Sequence, residues 1–112
     1  MNLTIQRSKW LRGEGSSVSV LLRSHDGKMC CLGFLALAIG IPQDKIVDIG
    51  SPSRTHADYI HMWPSRLLNN KLGDVEQIIV INDTMSGYDS KRREEELKPL
   101  FYKLGVTLTF ED

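Results

Sequence analysis

The sequence predicts an α+β domain, on three observations. Residues 30–39 spell a helix that is apolar nearly all round. The two ends of the chain carry short β-type segments. Between them lie further helical stretches, the last of them heavily charged. At 112 residues the chain is sized for one domain, 1–112, with a single core. Its 41% hydrophobic and 25% charged residues are ordinary globular composition.

Near the start, Asn2-Leu3-Thr4-Ile5 alternates as a strand does, and Ser8 is placed to cap a helical turn holding Trp10 and Leu11. Gly13-Glu14-Gly15-Ser16-Ser17 is a loop by composition, and Val18–Leu22 is apolar and β-prone. The Asp26-Gly27 turn signal folds Leu21 and Leu22 back toward Met29 and Cys30. In the central helix Leu32, Leu35, Ala36 and Ile39 share one face. Phe34, Leu37 and Ala38 cover most of the rest, as in a buried helix. Gly40 closes it, and Pro42 prevents its resumption.

Pro42–Val47 reads as a short helix with proline in its first turn. Residues 49–63 are irregular, and Pro64–Lys71 makes two helical turns. Val75–Ile81 favours a strand by propensity, but Asp74 and Gln77 resemble a capping box and Val75, Ile78 and Ile79 share a helical face. The helical reading is preferred. Asn82-Asp83 ends it, and Met85–Tyr88 is a loop. A last helix starts at Ser90 with Leu97, Leu100, Phe101 and Leu104 on its inner face. Pro99 is expected to kink or split it. Val106–Phe110 then alternates as a strand whose natural partner is Asn2–Gln6, tying the termini together in a small sheet.

Fourteen basic and fourteen acidic residues cancel. A neutral chain has no overall field to hold bulk nucleic acid or an anionic membrane. The apolar stretch 29–41 is too short to span a bilayer. Met1–Gln6 lacks the charged start and apolar run of a secretory leader, and the adjacent Cys30 and Cys31 read as reduced thiols. A cytoplasmic protein without a membrane partner is the expectation.

Three constellations carry possible chemistry. Cys30 or Cys31 at a helix N-terminus, with His56 or His61 and then Asn82 or Asp83 downstream, follows the chain order of papain-like thiol hydrolases. The plainer reading is that both thiols pack the core. His25, His56, His61 and the cysteines fit no zinc spacing, so no metal and no cofactor is expected. In Asp89–Glu96, bases precede acids, against the helix dipole preference. An anion at the helix start, held by Ser90, Lys91 and Arg92, would explain that order, as would a solvated charged face. Asn82 and Asp83 would then read a base or ribose, and Trp10, beside Arg12, or Tyr88 would stack on the ring. Tryptophans in a chain of this size more often finish the core.

Lys9–Glu14, Met29–Phe34, Ile81-Asn82-Asp83 and Arg93–Leu97 together resemble a group of small, functionally unassigned phage and bacterial proteins. Those carry a Cys-x-Leu-Gly helix and an Asn-Asp pair before a last charged helix. The resemblance implies an accessory binding protein, a counter-defence or host-takeover inhibitor acting on a host protein or sequestering a nucleotide. The thiol hydrolase is the rival. A third reading is a structural homo-oligomer joined through an exposed 52–64 segment.

Overall fold

The computed structural model describes residues 1–12, 20–69, 73–83 and 90–112. Strand β1 (Asn2–Gln6) and strand β2 (Thr107–Glu111) pair in parallel, from Asn2 opposite Thr107 to Gln6 opposite Glu111. Parallel neighbours need a crossover. Here the crossover is the whole body of the protein. Leu3, Ile5 and Leu108 point inward, while the Thr4 and Thr109 hydroxyls meet at 3.0 Å on the outer face. The sheet made from both termini is thus present, within an α+β fold.

Helix α1 (Cys31–Ala38) lies at the centre, with Cys31–Ala36 all buried. It stops at Gly40, whose φ of +100° favours glycine. The chain before it passes very close. Arg23 N–H donates to Lys28 O and Gly27 N–H to Arg23 O, closing the Asp26-Gly27 turn, and Cys30 N–H reaches Val20 O at 3.2 Å. Asp26 accepts from the Arg23 guanidinium and from Lys28 N–H, and the Arg23 bond holds its carboxyl well below the usual range. Because the Leu21 segment crosses α1 at Gly33, a Cβ there would lie 1.8 Å from the Leu21 carbonyl oxygen. Only glycine fits.

Helix α2 (Ser65–Leu68), α3 (Asp74–Asp83) and α4 (Ser90–Tyr102) surround this core. Residues 75–81 are helical, with Val75, Ile78 and Asn82 buried. The Asp74 carboxylate accepts from Arg66 Nε at 2.8 Å, tying α2 to α3. Leu97 and Phe101 are fully buried on α4.

Several expectations are corrected. Ser8 caps no turn containing Trp10 and Leu11. The 3₁₀ turn is Arg7–Lys9, and Trp10 is extended and bridged in parallel to Met29. Burial of the indole decides this, since only the extended chain delivers it to the core. Pro42–Val47 contains only a 3₁₀ turn at Gln43–Lys45. The described part of 64–71 holds one α-helical turn, not two. Helix α4 is not split at Pro99 but runs through it. The 52–64 segment is exposed at Ser53, Arg54, His56, Ala57, Asp58 and His61 but not throughout. Pro52, Thr55 and Trp63 are buried, and Trp63 Nε1 donates to Thr55 Oγ1 at 2.9 Å. The loop readings at 13–17 and 85–88, Val18, Ser19 and the end of the 64–71 segment lie outside the described residues.

Candidate functional site

Of the residues singled out in the sequence, Trp10, Cys31 and Asp83 meet at one buried side chain, Asn82. It is 1% exposed and sits at the end of α3. Its Oδ1 accepts from Trp10 Nε1 at 2.8 Å and from the Cys31 backbone N–H at 3.1 Å. Its Nδ2 donates to Leu11 O and to Asp83 Oδ1, each at 3.0 Å. Cys31 is the first residue of α1, and Cys30 supplies no side-chain cap. A helix start leaves backbone N–H groups without intrahelical acceptors. Asn82 supplies one from another helix, so it caps α1 across the core.

Around this amide the other groups fall into place. Trp10 is 2% exposed. Phe110 lies against it with ring centroids 4.9 Å apart, and the Arg12 guanidinium stands 4.4 Å from its ring centroid. Arg12 also donates to Arg7 O. Arg93, 5% exposed, donates from Nε to Ile81 O at 3.1 Å, and burial lowers its pKa against the opposing charge of Asp83. Arg7 holds Glu94 with two bonds of 2.9 and 2.8 Å and reaches Asp112 at 3.0 Å. These bonds, the Glu94 pair foremost, raise its pKa.

The arrangement corrects two readings. Trp10 and Asn82 are not placed to stack on or read a nucleotide, because each is buried and engaged with the other. The thiols are not activated either. Burial pushes Cys30 up to about 12 and Cys31 well above its ordinary value, outweighing the backbone N–H groups that lower them. His56 and His61 are exposed, and His56 Nδ1 accepts from the Asp58 backbone N–H. The void beside Cys30, Cys31, Asn82 and Asp83 measures about 10 Å³, too small for a substrate. Lys91 is exposed, and Arg92 donates to Glu96 Oε1 at 3.2 Å one turn along α4. Ser90 is the first residue of α4, and Tyr88 lies outside the described residues.

An open concave surface lies elsewhere. A groove of about 890 Å³ runs between the outer flanks of α3 and α4. Val80, Ile81, Pro99 and Leu100 give its apolar floor, and Glu76, Glu95, Glu96 and Lys103 its charged rims. Val80 is 60% exposed there. Sequence reading did not bring these residues together: it set Leu100 on the inner face of the last helix and read Pro99 only as a kink or split. The available signals were Val80, which stands off the Val75–Ile78 face, and a proline tolerated inside a helix.

The chain matches no protein-family model, no curated protein and no solved structure. No helix among the described residues is long and apolar enough to cross a membrane, and no group of metal-ligating side chains is gathered among them.

Proposed function

We propose that this chain is a non-enzymatic binding protein that acts by occupying a protein partner, the accessory role implied by its resemblance to small, functionally unassigned phage and bacterial proteins. The observation that carries this reading is the division of labour on α3 and α4. Their inner faces hold the buried Asn82 hub, while their outer faces form an open groove with exposed apolar groups at its base. Soluble proteins seldom leave such a concave apolar surface without use. A protein partner is favoured over a nucleotide because Trp10 and Asn82 are spent inside the fold. The hydrolase alternative is disfavoured by the same geometry, since a thiol held neutral by burial is a poor nucleophile.

The test is recovery of tagged protein from its native cell under non-denaturing conditions, with co-purifying proteins quantified by mass spectrometry. Wild type is compared with Val80→Ser, which changes one exposed position in the groove. A stoichiometric partner retained by wild type and lost by the variant is expected. An identical set of partners for both would place the binding surface away from the groove. Substrate turnover abolished by Cys30→Ser in folded protein would contradict the non-enzymatic reading outright.

A further inference from the structure

Resting on the reading of α3 and α4 as a binding face, we infer that the groove takes a cationic amphipathic helix from a partner protein. Two rows of side chains define it. Glu76, Gln77, Val80 and Ile81 recur at helical spacing on α3, and Glu95, Glu96, Pro99, Leu100 and Lys103 do so on α4. The α4 row spans about 12 Å, room for two turns of a third helix laid along the pair. Such a helix would anchor apolar side chains, spaced i, i+3/i+4 and i+7, on Val80, Ile81, Pro99 and Leu100.

The rims decide the charge of the occupant. Glu76, Glu95 and Glu96 line the groove against one lining cation, Lys103, and Glu96 is shared with Arg92, which leaves Glu76 and Glu95 as the acidic groups that set its charge. Pro99 adds to this field. It has no N–H to offer the Glu95 carbonyl one turn before it. A lysine- or arginine-rich flank meets acceptors along the whole length. An acidic peptide or a nucleic acid meets repulsion. A small molecule finds an open trough, which does not enclose most of a ligand's surface as small-molecule sites do. A second copy docking through the same face would set its own glutamates against these, since a two-fold interface pairs each patch with itself.

The experiment is fluorescence anisotropy on the full chain, with a labelled helical peptide carrying a leucine stripe and a lysine/arginine face. Its control has every cation replaced by glutamate. The cationic peptide is expected to bind with a micromolar Kd that weakens as salt rises, and the acidic control is not. Glu76→Lys/Glu95→Lys alters two exposed side chains and should weaken binding about tenfold or more. Val80→Ser should weaken it with little change in salt dependence. Equal affinity of wild type and the charge-reversed variant would overturn the inference, as would equal binding of both peptides. If no peptide binds while the partner recovered from cells is still lost with Val80→Ser, the cationic occupant is wrong and the binding face stands. If that partner is also indifferent to the groove, both fail.

Discussion

At the scale of single residues, the account turns on Asn82. Its amide satisfies an indole, a helix-start N–H and a backbone carbonyl at once, all in the core. Asn82→Ala leaves those three groups buried without their partner and should cost about 3 kcal/mol of unfolding free energy. Guanidinium denaturation monitored by Trp fluorescence measures this, and a loss below about 0.5 kcal/mol would show the hub to be dispensable. Gly33 is the second such residue. Gly33→Ala drives a methyl group into the Leu21 carbonyl, a backbone atom that cannot rotate away, so folded protein should not accumulate. Both residues belong to islands singled out in the sequence, Cys31-Leu32-Gly33 and Asn82-Asp83. The structure gives those islands a physical reason that requires no chemistry. One island is the close crossing and the head of α1, and the other is the cap that reaches it. The charge order at the start of α4 has a similar reason. Arg93 and Glu94 serve Ile81 O and Arg7, and such buried or bidentate contacts outweigh the tenths of a kcal/mol that a helix dipole preference contributes.

At the scale of elements, α1 makes a prediction about pH. Folding raises the Cys30 pKa from 9.0 to about 12 and moves Cys31 the same way, so the fold favours the neutral thiols. That contribution is complete below about pH 9 and is lost as pH rises toward 12, by up to about 1.4 kcal/mol per pH unit for each thiol. Wild type should therefore lose stability between pH 8 and pH 10 faster than Cys30→Ala/Cys31→Ala. Parallel curves for the two would contradict the burial of the thiols. Helix α4 makes another prediction. Pro99→Ala restores a backbone donor within α4 and should raise the melting temperature, by an amount equivalent to about 1–3 kcal/mol. A lower melting temperature would show that the ring itself packs in a way no alanine replaces. Most elements were legible in the sequence because their periodicity was unambiguous: α1, α4, the terminal strands and the Asp26-Gly27 turn. Residues 75–81 were ambiguous, since Ile-Ile-Val-Ile satisfies both periods. Burial of Val75, Ile78 and Asn82 on one stripe decides for the helix. Trp10 was misplaced in a helical turn because local capping signals say nothing of a hydrogen-bond partner 72 positions away.

At the scale of the whole molecule, the first and last strands close the fold. Leu3, Ile5 and Leu108 enter the core, and Arg7 ties the end of β1 to α4 and to Asp112. Removal of residues 107–112 should abolish cooperative unfolding, because β1 then loses its partner and Leu108 leaves the core. A truncated chain with a sharp thermal transition would show the sheet to be accessory. In native-state hydrogen exchange the amides of the buried Cys31–Ala36 part of α1 should exchange only with global unfolding, whereas Leu37 and Ala38 at its end are exposed. The candidate site was legible only in its buried half. Tryptophan, asparagine and cysteine draw notice as chemical groups, whereas the groove exists only once α3 and α4 lie side by side. The central claim is that the inner faces of these two helices are structural and their outer faces bind. It is tested most directly by titrating ¹⁵N-labelled protein with the cationic amphipathic peptide and following amide chemical shifts. The account predicts the largest changes at Glu76, Val80, Glu95, Leu100 and Lys103, with Asn82, Cys31 and Leu11 unmoved. Changes centred instead on Arg12, Asn82, Asp83, Lys91 and Arg92 would contradict it.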